Sequence, residues 1–537
     1  MLLVWLLLTP ILTGLSVLWF KGKYPAWLGF VGLLTGLVPI SYGFMSSETL
    51  TFSTSALFDS TWAFHGYTLV GATSFILVGA VLFLFVTRYL KKAQVVSFCL
   101  ALASALGITM AKDFISLFLF WEALTVTTAL IILFDGSQNQ AVGRRFLITH
   151  VLGGLALLFG ILLHVHASGS LAVVPPEAGH LWFLLGIGTK VGFLPLHFWI
   201  PATYATIHPS ATVALSIFTT KAGILLLTKL FAGWEILAYM GLAMIFFGIV
   251  KSLRSSHLTG ILSYQHISQL GFMVVSVAAG GQLGVNGTFL HMTNHMVYKS
   301  LLFMVSALLY TYTGTESLHR KKQLPKPVWL LGLAAVGSFA IMGLPPFSGF
   351  VSKSVIKYAS PEMMQVILSA AGVGTALCFA RFLYYGFWPE RRSDEQAAAP
   401  PRVTLKLDPQ VIVSLLLLAG MTVVLGTVPA ALRWFAPYEM VPMLSASGAF
   451  QALALAGVGV LLFVVFRHHL QPSEAGAGQA SAAWLQRPTR SIQNAAARLL
   501  QGLANYERSS SQLNMVQYIV SIFILVVLVL YLVIARV

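Results

Sequence analysis

The 537-residue chain is 57% hydrophobic and only 9% charged, with a mean hydropathy of +0.84. Soluble domains carry about 25% charged residues, so this composition excludes an ordinary water-soluble protein and makes the bilayer the natural solvent. A formal net charge of +16 would suggest nucleic acid in a soluble protein. Here the basic residues gather in short loops between apolar runs, and no nucleic-acid partner is expected.

Apolar runs of about 17 to 25 residues cross a ~30 Å hydrocarbon core as helices. Sixteen such runs are predicted, near 1–20, 26–46, 68–90, 94–111, 113–134, 146–166, 181–202, 208–231, 234–250, 258–280, 286–312, 327–359, 362–388, 409–432, 446–466 and 514–535. The first lacks a basic leader and reads as a retained span rather than a signal peptide.

Loop charge tests the count independently. Loops after odd-numbered spans hold Lys21, Lys23, Arg88, Lys91, Lys92, Arg144, Arg145, Lys251, Arg254, Arg320, Lys321 and Lys322, then Arg391, Arg392, Arg402 and Arg467. Loops after even-numbered spans hold Glu48, Asp59, Glu177, Glu235, Glu362 and Glu439. The alternation predicts an inner-membrane protein with cytoplasmic odd-to-even loops and both termini on the opposite side.

The segment 469–513 differs in kind. It opens with a Gly/Ala/Ser linker, and Ile492, Leu499, Leu500, Leu503 and Tyr506 then make one apolar face, with Arg490, Arg498 and Arg508 elsewhere. An amphipathic helix in an interface or against a partner fits this pattern; a solvated linker helix is the plainer reading. The two cysteines, Cys99 and Cys378, sit in apolar stretches and make no disulfide or metal framework.

A charge at the bilayer centre costs a few kcal/mol even on lenient scales, so each such residue is a functional candidate. Among the sixteen Asp and Glu residues only Glu122 lies deep in an apolar run, with Asp113 and Asp135 bracketing its span. Lys190, Lys221, Lys299 and Lys353 are similarly placed. Lys190 opens KVGFLPLHFWIP and Lys353 sits in GLPPFSGFVSK, where prolines remove backbone donors and break the helix. Broken helices at mid-depth persist only where the freed backbone is buried in protein or lines a wet cavity. Desolvation also disfavours the charged form of an ammonium, which suits a group that must pass its proton on.

Histidine supplies the joints. HMTNHMVYK stacks His291, His295 and Lys299 at i, i+4 and i+8 along one helix side, and His266 lies in YQHISQLGF. Imidazole can take a proton on one nitrogen while releasing one from the other. A metal site is the other reading of the His pair, but no Glu or Cys stands nearby to complete it. His150, His164 and His166 lie towards the ends of the sixth span, where water would meet them. Lys357 reads equally as an exit residue or a snorkelling lysine.

FWEALTVTTALII, KVGFLPLHFWIPATYATIHPSA, FTTKAGILLLTKL, SYQHISQLGFM, HMTNHMVYKSLLFM and GLPPFSGFVSK together resemble the proton-translocating antiporter-like subunits. That superfamily includes large membrane-arm subunits of respiratory complex I, membrane hydrogenase subunits, and the A and D subunits of Mrp-type cation/proton antiporters. The resemblance runs from about 70 to 390 and leans to the Mrp D-type branch. It implies an all-α polytopic fold: a 14-helix core with two inverted five-helix repeats, each with a broken helix, plus about two extra C-terminal transmembrane helices. On this scheme Glu122 pairs with Lys190, and Lys221 leads through His266, His291 and His295 to Lys299, with Lys353 as the terminal carrier. Opening or closing the Glu122–Lys190 pair would be the coupling device.

The sequence departs from the pattern in three places. Thr259 and Gly260 replace a basic pair, PATYATIHP lacks the acid common after its Pro, and the sixth span has histidines in place of an acid. These bear on how an ion gets in rather than on the row itself. The expected organisation is N-terminal helices 1–110, a translocating core 111–390, C-terminal helices 391–468, the amphipathic segment 469–513 and a final span 514–537.

The resemblance implies a proton-conducting subunit of a multisubunit cation/proton antiporter, working alongside other membrane subunits and lipid. Protons are the expected ion, with sodium and potassium the open candidates for a second. No nucleotide, flavin or iron–sulfur motif is present in the sequence, so no cofactor is expected. The alternatives are a pumping subunit of a complex I-like NADH dehydrogenase or membrane hydrogenase, a subunit energising inorganic-carbon uptake beside a soluble metalloenzyme, and a scaffold without transport.

Overall fold

A computed structural model of the chain describes residues 2–20, 25–45, 50–54, 60–64, 66–318, 328–387, 408–428 and 445–472. The described residues belong to one compact unit, which ends at Pro472. The amphipathic stretch beyond residue 472, the final span and the loop cations at 320–322 and 391–402 lie outside the described residues.

In a bilayer every backbone polar group needs an internal partner, and a continuous apolar run therefore folds as a helix. Fifteen of the sixteen predicted runs fall on described helices. Two peripheral spans come first: α1 (Leu2–Trp19), and the pair α2 (Ala26–Leu34) and α3 (Leu37–Met45). A hairpin that the sequence reading did not foresee follows, β1 (Leu50–Thr54) against β2 (Ser60–Phe64), antiparallel with Leu50 opposite Phe64. Its segments, LTFST and STWAF, are rich in β-branched and aromatic residues. The third span is α4 (Tyr67–Tyr89).

Two sets of five spans come next. The first comprises α5 (Lys92–Met110), α6 (Phe114–Leu133), α7 (Gln140–Ser168), the interrupted pair α8 (His180–Val191) and α9 (Trp199–Tyr204), and the pair α10 (Pro209–Leu215) and α11 (Thr219–Phe231). The second comprises α12 (Ile236–Arg254), α13 (Leu258–Ala279), α14 (Gly281–Thr313), the interrupted pair α15 (Val328–Met342) and α16 (Ser348–Ala359), and α17 (Glu362–Phe387). Because five is odd, the second set starts on the opposite side from the first, which is the inverted arrangement. Its fourth member is the one interrupted by proline in both sets. α18 (Pro409–Thr427) and the helix Ala446–Phe466 close the described chain.

Burial sorts these helices. Every residue of Pro209–Phe231 but Lys229 is buried, and so is most of Tyr67–Tyr89, whereas Ala446–Phe466 buries only Ala456, Gly459 and Phe463. α4, α10, α11 and α14 therefore form the centre, and Leu8, Leu12, Leu152, Leu416 and Leu461 face outwards, as lipid contact requires. Glycines let helices approach closely. A Cβ on Gly241 of α12 would stand 2.7 Å from the Gly271 carbonyl of α13, and one on Gly271 would stand 2.5 Å from the Gly241 carbonyl.

Candidate functional site

The two helix breaks share a local design. Each starts at a glycine in the left-handed region, Gly192 with φ +83° and Gly343 with φ +82°, and has a cis X–Pro bond, Leu194–Pro195 and Pro345–Pro346. Only glycine adopts that φ without a side-chain clash. A break frees carbonyls at the end of the first half-helix. In the first set Trp199 Nε1 donates to the Thr189 carbonyl at 2.8 Å; in the second, Lys353 Nζ donates to the Ile341 carbonyl at 2.7 Å. A third interruption, at Ser216–Phe218, contains neither Pro nor Gly. There Lys221 turns back from the first turn of α11 and donates to the Ser216 carbonyl at 2.6 Å. Two of the four predicted lysines thus sit on carbonyls at helix ends, where the dipole favours a cation.

Glu122 on α6 and Lys190 at the end of α8 are both buried, 6% and 1% exposed. No hydrogen bond joins them. Lys190 Nζ donates to Thr125 Oγ1 at 2.7 Å and lies over the Trp121 ring, 4.8 Å from its centroid. Glu122 Oε1 has no hydrogen-bond partner. It points at α7, where a Cβ on Gly154 would stand 2.0 Å from it. The pair is side by side and open.

From Lys221 a continuous line of buried polar groups crosses to the second set. Lys221 Nζ lies 3.4 Å from His266 Nε2, and Thr220 Oγ1 lies 3.1 Å from the same nitrogen. The His266 and His295 rings are 4.7 Å apart between centroids, and His295 and His291 are 6.4 Å apart. His291 Nδ1 lies 3.0 Å from Ser352 Oγ, the residue before Lys353 on α16. Lys353 Nζ in turn lies over the Phe272 ring, 4.8 Å from its centroid. Both nitrogens of His295, His291 Nε2, the Tyr298 hydroxyl and the Gln269 amide have no protein partner although fully buried. Buried polar atoms of this kind are ordinarily bridged by internal water.

Lys299, four residues after His295 on α14, has a carbonyl as its hydrogen-bond partner. Its ammonium donates to the Leu262 carbonyl of α13 at 2.7 Å, while His291 meets Ser352, the residue before Lys353. Lys357 donates to Gln451 Oε1 at 2.8 Å on the outer helix Ala446–Phe466. His150 is packed between Phe146 and Trp199, with ring centroids at 4.0 and 4.6 Å, and is buried rather than wetted. His164 is also buried, and its Nδ1 accepts from the Glu177 backbone N–H at 3.2 Å. Sequence reasoning passed over Thr125, Thr220 and Ser352, three hydroxyls among many in the spans.

A polar cavity of about 510 Å³ opens at the end of the core where α6 and α14 finish and α10 starts, lined by Asp135, His208, His257, Tyr310 and Glu316 among others. His208 caps α10: its Nδ1 accepts from the Ser210 N–H at 3.3 Å, and its own backbone N–H donates to Asp135 Oδ2 at 2.9 Å. Burial pushes the His208 imidazole below its ordinary range, with the Asp135 charge pulling the other way. Thr259, in the place of a basic residue, donates to the Glu316 carboxylate beside this cavity.

Residues 111–378 match the family described as NADH:quinone oxidoreductase/Mrp antiporter, TM. The chain is 27% identical over 328 residues to the D subunit of the Na(+)/H(+) antiporter of Alkalihalophilus pseudofirmus, a match covering 55% of this chain and 66% of that protein. By structure it is similar to a chain of the Mrp complex from Dietzia sp. DQ12-45-1b, with a TM-score of 0.74, 20% identity and coverage of 100% of this chain and 63% of that one. It is likewise similar to a chain of respiratory complex I from Thermus thermophilus, with a TM-score of 0.69, 19% identity and coverage of 85% and 99%. The chain therefore spans just under two thirds of the length of the antiporter relatives. The matched region runs from the start of α6 to Cys378 on α17 and holds all eight candidate residues, so this chain belongs to the NADH:quinone oxidoreductase/Mrp antiporter family of membrane proteins.

Proposed function

We propose that this chain conducts protons as one membrane subunit of a multisubunit Mrp-type cation/proton antiporter in a cell inner membrane, with its odd-to-even loops on the cytoplasmic side. The observation that carries the reading is the buried line from Lys221 through His266, His295, His291 and Ser352 to Lys353. Every member is a titratable or hydroxyl group that can accept one proton and release another. The Glu122–Lys190 pair lies beside the start of the line, and its opening and closing would bias the charge on Lys221. The polar cavity at His208 and Asp135 is the natural mouth on the cytoplasmic side.

A pumping role beside a redox partner is the second reading, favoured by the comparable likeness in fold to a complex I chain. The chemistry of this chain is the same in both, and the subunits that co-purify with it separate them. Conduction itself is tested in everted vesicles containing the assembled complex. Glu122→Gln and Lys353→Ala should each abolish cation-driven proton movement while the complex still assembles. Full transport by both variants would leave the chain a scaffold.

A further inference from the structure

We propose that Thr125 is a positioning residue that seats the Lys190 ammonium away from Glu122 and so holds the first-half pair open. This rests on the proton-conducting reading and names the device that sets the state of the pair. Thr125 lies three residues after Glu122 on α6, on the same side of the helix. Its hydroxyl donates back to the Trp121 carbonyl at 3.2 Å, which turns the oxygen lone pairs outward to accept from Lys190 at 2.7 Å. The Trp121 ring, 4.8 Å from the ammonium, forms the other wall of the seat. Two neighbouring side chains of one helix turn therefore hold the cation, while the carboxylate between them is left alone.

The carboxylate has its own place. Gly154 on α7 has no Cβ, and one built there would stand 2.0 Å from Glu122 Oε1 and 2.8 Å from its Cδ. The preceding Gly153 does the same for α8, since a Cβ there would stand 2.8 Å from Thr189 Cβ, next to Lys190. The glycine pair thus makes room both for the withdrawn carboxylate and for the helix that carries the lysine.

The seat selects between two arrangements by charge. An ionised Glu122 adds the attraction of a full opposite charge, which the neutral Thr125 hydroxyl lacks, and so competes successfully for Lys190. A protonated Glu122 does not, and the cation then rests on Thr125. The position of Lys190 thereby reports the proton on Glu122, and the swing relays that state towards Lys221.

The experiment uses the complete complex. Thr125→Val keeps the shape and removes the acceptor, Thr125→Ser keeps the acceptor, and Gly154→Ala fills the place of the carboxylate. Thr125→Val should slow transport about tenfold, the loss expected from one hydrogen bond to a charged group, Gly154→Ala should slow it by displacing the carboxylate, and Thr125→Ser should run at the wild-type rate. A cryo-EM map of the Thr125→Val complex should show Lys190 turned onto Glu122, a movement that a merely structural threonine would not cause. Wild-type transport by Thr125→Val, or by Gly154→Ala where the first variant does not assemble, would overturn the proposal, as would an unmoved Lys190. If Glu122→Gln also transports at the wild-type rate, conduction itself fails; if it is inactive while Thr125→Val is unaffected, only the seat fails.

Discussion

Lys353 Nζ donates a 2.7 Å hydrogen bond to the carbonyl of Ile341, across the break between α15 and α16. In the matching break of the first set the equivalent donor is the neutral indole of Trp199, on Thr189. Lys353 is therefore a helix cap, and on the proposed function it is also the last carrier of the line; the two roles separate by substitution. Lys353→Ala leaves a carbonyl without its donor, a loss of about 1–3 kcal/mol, and should lower thermal stability as well as abolish transport. Lys353→Arg keeps a donor and a charge but does not release its proton. It should assemble with near-normal stability and transport at about a hundredth of the wild-type rate or less, the scale of a lost proton-transfer group. Equal activity of the Arg and Lys forms would show that Lys353 only caps.

On the proposed function Ser352 links the histidine ladder to Lys353; its hydroxyl lies 3.0 Å from His291 Nδ1. Its other contact, to the Gly349 carbonyl at 3.4 Å, is long for a hydrogen bond. Ser352→Ala should reduce transport about tenfold, as for one lost hydrogen bond in a charged network, and leave assembly unchanged. Ser352→Thr should restore most of the rate. A Ser352→Ala complex as fast as wild type would mean that protons reach Lys353 by another way.

The spans were legible because the bilayer leaves apolar runs no alternative to the helix, and the burial of Glu122 and Lys190 because both stand at mid-span, far from either surface. The proline breaks were legible for the same reason: Pro195 and Pro346 remove donors wherever they stand. The interruption at Ser216–Phe218 was not, since ALSIFTT carries no breaker, and it shows only in where the Lys221 ammonium goes. Hydroxyls were the other gap. Most Ser and Thr in these spans bond back to their own helix, as Ser97 and Thr127 do. Nothing in the sequence distinguishes them from Thr125 or Ser352, which also reach a neighbour. The stacking of His291, His295 and Lys299 on one helix side was correct as periodicity. It could not tell that Lys299 would turn to Leu262 while His291 turned to Ser352.

The cap at His208 should make stability depend on pH. Its Nδ1 accepts from the Ser210 N–H, which only the imidazole with an unprotonated Nδ1 can do. Burial holds its pKa below the ordinary value, and Asp135 offsets part of that. A depressed value means that the contribution is present above the ordinary pKa of about 6.5 and is lost as pH falls through the lower folded value. The cap is worth about 1 kcal/mol. His208→Asn supplies a capping oxygen that does not titrate. The thermal midpoint of the wild-type complex should therefore fall more steeply than that of His208→Asn as pH is lowered from about 8 to about 5. Parallel curves would remove His208 from the account.

The second break also depends on a residue that carries no charge. A Cβ on Gly349, in the first turn of α16, would stand 1.8 Å from the Ala340 carbonyl oxygen near the end of α15. Both partners are backbone, so neither can swing aside, and relief requires the two half-helices to part. That parting would draw Lys353, four residues further along α16, away from its seat on Ile341. Gly349→Ala should cost about 3 kcal/mol or more, the upper range for overpacking, and lower both the yield of assembled complex and its thermal midpoint. Gly332 of α15 and Gly372 of α17 are helical glycines with nothing within 4 Å of the added Cβ. Alanine at either should be neutral or stabilise by up to about 1 kcal/mol through helix propensity. A Gly349→Ala complex with the same midpoint as Gly332→Ala would show that α15 and α16 are not held in register by this contact, and the position of Lys353 would then need another cause.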